Sequence, residues 1–561
     1  MNKYSRHNFF KFLSPLTVFF FLSCAAIQPP SGGPKDETPP VLVDATPPSE
    51  TTHFSGGEIR LRFSEYLDET SVERGLQISP RLSKPMTVKY KGDEILLRIP
   101  KELSPERTYI ITLSREVKDE HGVPLANSIQ LAYGTGDRID KGMIKGRVVN
   151  DPNVVVHLWR MDENERNDSL FASPPHYVTD VDDEGGYQFG FLSPGGYRLM
   201  AISREAAGLP LDPRRFRYGL PWVEKITIDS NEVIAGINML VWREPQPFKL
   251  LRGELQGATW GKLFFNNQLP SDSLTGEISF SVENGPFVPV SGWYRDPLEA
   301  DNLVVEIPDS LYGKKLQMQI DSLGSGGKII LDSVRIGISV PDEPDTNYLE
   351  LLRPENEVLI TPGRGTDPPL ELVFSQPLLP LLSAKDYPLL YIDDSLLVES
   401  ITTRVNPLWL KLRPLIPWEP NKVYRVELFR SGFLSREGNA FEDSLITVTI
   451  RTRRRPGYGG LSVRIKSGGQ YPFVGEIRAV EKPSQMYTSV VNSQARIAFS
   501  DIPEGTYTLM LYEDRDRNET YTFGKAFPFT PGEWFMTYPD TLDIRANWEI
   551  ELTPISIKEF R

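Results

Sequence analysis

Residues 97–113 read LRIPKELSPERTYIITL, and residues 412–428 read LRPLIPWEPNKVYRVEL. Both stretches carry leucine, proline, tyrosine and leucine at one shared spacing: Leu97, Pro105, Tyr109 and Leu113 in the first, and Leu412, Pro420, Tyr424 and Leu428 in the second. Alternating apolar residues on either side of a proline-containing turn are typical of two β-strands that each bury one face. The repeat therefore predicts two copies of one β-rich module.

The sequence around each copy extends the match. Phe63-Ser64 recurs as Phe374-Ser375, and a turn glycine follows each copy, at Gly122 and Gly438. These features resemble the S-layer-type bacterial Ig-like domain, although Trp418 stands where the first copy has Leu103. The resemblance implies β-sandwiches at residues 41–137 and 346–453, and it says almost nothing about a ligand.

A different motif is repeated as FGFLSPGGY at residues 189–197 and FSDIPEGTY at residues 499–507. It predicts a strand, a tight turn containing glycine, and a return strand that begins with tyrosine. The motif resembles the transthyretin-like or carboxypeptidase-regulatory sandwich, which implies such modules at residues 141–243 and 457–556. Residues 244–345 have strand-like patterns without a recognisable family. The predicted fold class is all-β, a row of tandem β-sandwich modules forming an elongated arm.

The N-terminus contains a short apolar run, Leu16–Leu22, between basic residues and the only cysteine, Cys24. A run this short cannot span a bilayer, so residues 1–23 are predicted to be a signal peptide. The sequence before Cys24 resembles the lipobox of bacterial lipoproteins, which implies a lipid on its thiol; an ordinary signal peptide with a coincidental cysteine is the alternative. Residues 24–40 are rich in proline and glycine and predict a flexible tether.

The tether sequence PPSGGPKDETPP, residues 29–40, resembles that of Bacteroidetes-type outer-membrane lipoproteins. This resemblance implies an outer-membrane location, with the surface-exposed and the periplasmic face both left open. The whole chain has a formal net charge of −13, and removal of residues 1–23, with three basic and no acidic residues, leaves −16. An acidic protein is a poor match for nucleic-acid phosphates, so we expect no nucleic-acid partner.

One acidic turn is a candidate metal site. Asp514, Asp516 and Asn518 alternate as do the oxygen ligands of calcium loops, but Glu519 and Lys525 occupy the places where an EF-hand needs glycine and glutamate. An EF-hand is therefore excluded. A solvated turn and a calcium site of another kind both remain open.

The sequence contains no recognisable catalytic motif, so we predict no catalytic residues and no cofactor beyond the lipid. The predicted function is that of a non-enzymatic, lipid-anchored envelope protein that acts as a structural or partner-binding arm, with an unidentified envelope protein as partner. A carbohydrate-binding lipoprotein of a glycan-uptake system would instead need an exposed aromatic platform, and a hydrolase would need a pocket with converging acid and base groups. Six tryptophans bear on the glycan alternative: Trp260, Trp293, Trp409, Trp418, Trp534 and Trp548.

Overall fold

The computed structural model describes residues 36–557, except residue 81 and the segments 162–166, 272, 284, 309–313, 342–345, 365–366, 381–387, 394–395 and 467–470. Within this part of the chain the strands form ten sheets, which follow one another along the sequence in five pairs. Each pair encloses its own apolar core. The all-β fold class with tandem β-sandwiches is confirmed. The signal peptide and Cys24 lie outside the described residues.

The first module contains strands β1 (Leu42–Thr46), β2 (Gly57–Phe63), β3 (Leu76–Ser79), β4 (Thr87–Lys91), β5 (Glu94–Ile99), β6 (Thr108–Leu113) and β7 (Ile129–Gly134), with helix α1 (Glu69–Gly75). Its sheets have the orders β1-β2-β5-β4 and β3-β6-β7. In β2, Ile59, Leu61 and Phe63 are buried and the arginines between them are exposed, as expected for a strand that buries one face.

The second module contains β8 (Gly142–Arg147), β9 (Val154–Met161), β10 (Tyr177–Asp180), β11 (Gly186–Leu192), β12 (Gly195–Ser203), β13 (Tyr218–Gly219), β14 (Ile226–Ile228) and β15 (Val233–Ile234), with short 3-10 turns at Asn167–Ala172 and Arg204–Ala206. One sheet has the order β10-β9-β12-β13 with β14 also on β12, and the other has the order β11-β8-β15.

The third module, which the sequence left unassigned, contains β16 (Leu250–Leu255), β17 (Trp260–Phe265), β18 (Leu274–Val282), β19 (Val288–Pro289), β20 (Gly292–Arg295), β21 (Asn302–Glu306), β22 (Lys315–Ser325), β23 (Lys328–Leu331) and β24 (Val334–Ser339). Its sheets have the orders β16-β17-β21-β20 and β19-β18-β22-β23, with β24 also on β22. It too is a two-sheet sandwich.

The fourth module contains β25 (Leu351–Arg353), β26 (Glu357–Ile360), β27 (Leu370–Phe374), β28 (Leu389–Ile392), β29 (Leu396–Val398), β30 (Ser400–Asn406), β31 (Trp409–Pro414), β32 (Val423–Phe429) and β33 (Leu445–Thr452), with a 3-10 turn at Arg430–Gly432. Its sheets have the orders β25-β27-β31-β30 and β26-β33-β32-β28-β29. Strands β29 and β30 are therefore edge strands.

The fifth module contains β34 (Tyr458–Lys466), β35 (Phe473–Ala479), β36 (Met486–Val490), β37 (Arg496–Pro503), β38 (Gly505–Glu513), β39 (Phe535–Thr537), β40 (Leu542–Ile544), β41 (Glu549–Glu551) and β42 (Ile555–Ser556). One sheet contains β37-β34-β41 with β42 on β34, and the other contains β36-β35-β38-β39 with β40 on β38.

Hydrogen bonds explain why the repeated tyrosines are needed. In the first and fourth modules, Tyr109 and Tyr424 each accept the backbone amide five residues earlier through their hydroxyl oxygens, at 2.9 Å in both cases. In the second and fifth modules, Tyr197 and Tyr507 donate to the carbonyl oxygen four residues earlier, at 2.7 and 2.9 Å. Each tyrosine thus fixes the turn before its strand, because its hydroxyl pairs with a backbone group there.

The Phe-Ser pairs are also equivalent in the structure. Ser64 exchanges hydrogen bonds with Val41, at 2.8 and 3.0 Å, and Ser375 does the same with Glu350, at 2.9 Å for both bonds. In each case the serine joins the first strand of its module to the end of the next strand of the sheet. At the position where the copies differ, Trp418 is fully buried and donates its indole N–H to the carbonyl of Pro368 at 2.9 Å.

Candidate functional site

The candidate metal turn follows β38 and is not solvated at its first residue. Asp514 is only 2% exposed, and its two carboxylate oxygens accept the amides of Asn518 and Glu519 at 3.0 and 3.1 Å. Arg517 and Glu519 have φ angles of 58° and 60°, in the left-handed region. The turn is therefore a tight loop that wraps its own backbone amides around a buried carboxylate.

The structure brings a distant carboxylate to this turn. Glu533 is 3% exposed and accepts the amides of Arg515 and Thr522, at 2.6 and 2.9 Å. Single oxygens of Asp514, Asp516 and Glu533 lie within 4.8 Å of one another. Burial raises the pKa of Glu533, and the neighbouring charges of Asp516 and Asp514 raise it further.

The side chain of Asn518 is engaged in hydrogen bonds within the turn. Its side-chain oxygen accepts the amide and hydroxyl of Thr520, both at 2.7 Å, while its amide group donates to Asp516 at 2.9 Å. The group that could hold a hard cation is thus Asp514, Asp516 and Glu533. The buried carboxylates are already satisfied by backbone amides, so the turn is explained without a cation, and calcium here stays a prediction.

The loop that follows the turn joins the fifth module to the second. We call residues 523–530 the clasp loop. Ala526, Phe527 and Phe529 pack into an apolar cluster of the second module, and Phe523 stacks on Trp242 with ring centroids 5.3 Å apart. The modules therefore do not form the simple extended row that the sequence led us to expect.

A buried arginine anchors the clasp loop. Arg198, on β12, is 1% exposed, and its guanidinium carbon lies 3.9 Å from the ring centroid of Phe529. Its Nε donates to the carbonyl of Glu224 at 3.0 Å. A buried cation over a partly exposed aromatic ring contributes about 1 kcal/mol, so Phe529 adds a specific contact to the apolar packing of the loop.

The sequence of β9 explains why the second module has an apolar surface for the clasp loop outside its own core. Its residues 154–159, VVVHLW, are all buried instead of alternating between buried and exposed. Val154, Val156 and Leu158 face the core of the second module, whereas Val155 and Trp159 face the cluster that contains the clasp loop. An uninterrupted apolar run indicates a strand covered on both sides, and this signal was present in the sequence.

The histidine between these residues is a packing residue. His157 is fully buried, and its Nε2 accepts the amide of Gly208 at 3.0 Å. Burial lowers its pKa to about 3. A neutral imidazole enclosed in a core is out of reach of any substrate in solution.

The tryptophans do not form an exposed platform in the described chain. Trp260, Trp418 and Trp534 are no more than 3% exposed, and Trp293 and Trp409 are half-buried. Trp548, at 65% exposure, is the one of the six whose ring is mostly in solvent. A glycan-binding site needs several stacked or neighbouring rings, so this arrangement gives no support to carbohydrate binding.

A cleft of about 1030 Å³ lies between the first and second modules. Residues of both charge signs line it, including Arg115 and Asp180. The backbone amide of Arg115 donates to the Asp180 carboxylate across the junction at 2.5 Å. Neither tryptophan nor histidine occurs among the described lining residues. The cleft is therefore a junction between two modules that is lined by charged and polar side chains among others.

An exposed apolar patch lies on the fourth module. Five large side chains are each more than half exposed: Leu396 and Leu397 on β29, Ile401 on β30, and Leu415 and Ile416 after β31. The Leu415 amide bonds the carbonyl of Glu399, which places the two segments together. We call these five residues the apolar corner. It lies on and beside β29 and β30, each of which is the last strand of its sheet in the described part of the chain.

Comparison with known proteins supports one part of this description. Residues 36–135 match the bacterial Ig-like domain family. No curated protein is significantly similar to the chain in sequence. Among the described residues, no helix is long and apolar enough to cross a membrane.

Several solved structures align with the chain at low identity. The N-terminal part of the bacterial S-layer protein SbsC is 7% identical, with 37% of this chain and 44% of that chain covered and a TM-score of 0.17. The major pilin subunit BcpA of Bacillus cereus is 11% identical, with coverages of 74% and 98% and a TM-score of 0.16. The four N-terminal Ig domains of Dscam1 isoform 4.4 are 8% identical, with coverages of 91% and 99% and a TM-score of 0.19. Scores this low carry no argument about module arrangement or function.

Proposed function

We propose that this protein is a non-enzymatic, lipid-anchored component of a bacterial outer envelope, whose β-sandwich modules form a scaffold that binds an envelope protein. The lipid on Cys24 holds the chain on the outer membrane. The modules after it carry the partner site away from the lipid surface.

The anchor rests on the sequence. The single cysteine follows a run too short to span a bilayer, and acyl chains contribute roughly 0.8 kcal/mol per buried methylene, so a multiply acylated Cys24 would retain the protein on a membrane. The match of residues 36–135 to bacterial Ig-like domains supports a structural or adhesive role over a catalytic one.

The apolar corner is the observation that carries the partner-binding part. Leu397 and Ile401 line a shallow cavity of about 410 Å³ and are 58% and 56% exposed. Contiguous exposed apolar groups mark interaction sites in soluble proteins, and a free sheet edge can accept a strand from a partner chain. The partner that fits is a protein presenting an extended segment with apolar side chains.

The anchor is tested in the native host by lipid labelling. Cells that express the full-length protein or Cys24→Ala are grown with an alkyne fatty acid, and the outer membrane is then isolated. The native protein should carry label and sediment with the membrane, and Cys24→Ala should do neither. A Cys24→Ala protein that stays on the membrane would overturn the anchor.

The partner site is tested by co-purification from crosslinked cells with Ile401→Lys. Ile329→Lys is the matched control, because Ile329 is 57% exposed and lies on the third module. We expect a defined envelope protein to be recovered with the native chain and the control and to be lost with Ile401→Lys. Equal recovery with both variants would refute binding at the apolar corner.

A further inference from the structure

Four residues from three separate segments converge beside the first module. Asp36 comes from the segment before β1, Glu65 follows β2, and Asp119 and His121 belong to the turn before β7. One possible ligand atom from each lies within 4.8 Å of all the others. None of the three carboxylates has a lysine or arginine ion-pair partner in the described chain, and the imidazole of His121 lies 3.7 Å from Asp36.

One oxygen in this group is buried without any partner. Asp119 is 1% exposed, and its Oδ1 accepts the amides of His121 and Val123, both at 2.8 Å. Its Oδ2 is buried and receives no hydrogen bond. A buried, unpaired carboxylate oxygen is costly, and negative charges from Glu65 and Asp36 beside it add repulsion.

The fourth module shows that the fold does not require this charge. At the equivalent positions of the fourth module, Gln376 takes the place of Glu65 and Ser435 takes the place of Asp119. Ser435 makes the same backbone bond within its turn, to the carbonyl of Asn439 at 2.8 Å, as Asp119 makes to Val123 at 3.0 Å. Gln376 is 3% exposed and Ser435 is fully buried, and both accept hydrogen bonds from Asn439, at 3.1 and 3.0 Å.

The fourth module thus has neutral, hydrogen-bonded side chains at these positions, whereas the first module has carboxylates that leave one oxygen without a hydrogen bond. We propose that Asp36, Glu65 and Asp119 form a binding site for a hard divalent cation of the calcium class, which fastens the segment leaving the N-terminal tether to the first module. Carboxylate oxygens from three segments are the ligands that calcium prefers. His121, with its side chain 67% exposed, lies at the rim.

This site has a mechanical consequence. Asp36 also accepts the amide of Thr38 at 3.0 Å, so its carboxylate is held against the backbone at the start of the described chain. A cation shared by Asp36, Glu65 and Asp119 would set the direction in which the chain leaves the first module toward Cys24. Its removal would free that segment while the β-sandwich stays folded.

A proton is the competing occupant. Burial raises the pKa of Glu65, as do the charges of Asp119 and Asp36, so a proton shared between Glu65 and Asp119 would also relieve the repulsion. The two explanations can be distinguished by measurement. If a shared proton neutralises the carboxylates, the protein should show neither calcium binding nor a calcium-dependent melting temperature at neutral pH.

The test is calorimetric titration of Ca²⁺ into the full mature chain at pH 7.5 after EDTA treatment and dialysis. We expect a site with a dissociation constant of about 10⁻⁴ M, within the range of extracellular calcium modules. Asp36→Asn should weaken this binding at least tenfold without changing the melting temperature in EDTA. The pair Glu65→Gln and Asp119→Ser, which installs the residues of the fourth module, should abolish the binding and remove the rise in melting temperature that calcium causes.

Asp516→Asn is the matched control for the other acidic group, and it should leave the titration unchanged. The absence of calcium binding by the native chain up to 5 mM would overturn the proposal. Binding that is lost in Asp516→Asn but kept in Asp36→Asn would also overturn the proposal. So would binding that is lost in His121→Ala but kept in the variants that remove the carboxylates.

Discussion

The clasp loop gives the sharpest structural prediction. Replacement Phe529→Ala removes the ring that lies 3.9 Å from the Arg198 guanidinium and 5.8 Å from the ring of Phe171. Truncating a fully buried phenylalanine costs 3–5 kcal/mol, so a half-buried ring accounts for about 2 kcal/mol. The lost cation–π contact adds about 1 kcal/mol. We therefore expect a loss of about 3 kcal/mol in the free energy of docking.

Hydrogen exchange measures this loss directly. Lys525 and Thr530 each donate the backbone amide to the carbonyl oxygen of the other across the loop, at 2.9 and 2.8 Å, and the Ala526 amide donates to the hydroxyl of Tyr218 at 3.3 Å. If these amides exchange through undocking, a cost of 3 kcal/mol raises their exchange rates by about 150-fold. Mass spectrometry of peptides covering residues 523–530 gives the rates.

Phe429→Ala is the control, since Phe429 is 37% exposed and lies on the fourth module, away from the clasp loop. It should leave the exchange of residues 523–530 within a factor of two of the native rate. If Phe529→Ala changes that exchange less than threefold, the contact between the second and fifth modules does not depend on this ring, and the reasoning fails.

Three further changes have expected outcomes. His157 is neutral when folded because its pKa is about 3, whereas an unfolded histidine takes up a proton below pH 6.5. The contribution of His157 to stability is therefore complete above pH 6.5 and falls by about 3 kcal/mol at pH 4.5, and His157→Gln should lack that fall in urea unfolding. Asp514→Ala removes the buried acceptor of two backbone amides and should lower the free energy of unfolding by about 3 kcal/mol in thermal unfolding, equally with EDTA and with calcium. A loss of stability seen only with calcium would contradict the turn as described. Ile401→Lys, at an exposed position, should change the melting temperature by less than 2 °C, and a larger drop would mean that the apolar corner is part of the core.

The sequence predicted the sandwiches because their signals are local. Alternation in β2 and the tyrosines at 109 and 424 act within a few residues, through one buried face and one turn. The third module lacked a recognisable motif, yet the same alternation recurs in it, as Leu316, Met318 and Ile320 of β22 are buried. The pattern of buried and exposed residues was sufficient to predict the fold class of the third module, although it did not identify a family.

The parts that the sequence did not predict depend on distant contacts. Glu533 reaches Asp514 only because β38 and β39 pair, and nothing between them marks it as a partner. Asp36 and Asp119 are far apart in sequence and meet because the strands between them close one sandwich. The clasp loop could have been anticipated in part, since Val155 and Trp159 break the alternation of β9, but its partner could not.

Photocrosslinking from the apolar corner in living cells tests the central claim most directly. A photoreactive amino acid is placed at Leu397 in the full-length, membrane-anchored protein of the native host, and at Ile329 as the exposed apolar control. The account predicts an adduct with one envelope protein from position 397, absent from position 329 and lost when Ile401→Lys is added. No adduct from position 397, or the same adducts from both positions, would contradict a protein-binding scaffold at the fourth module.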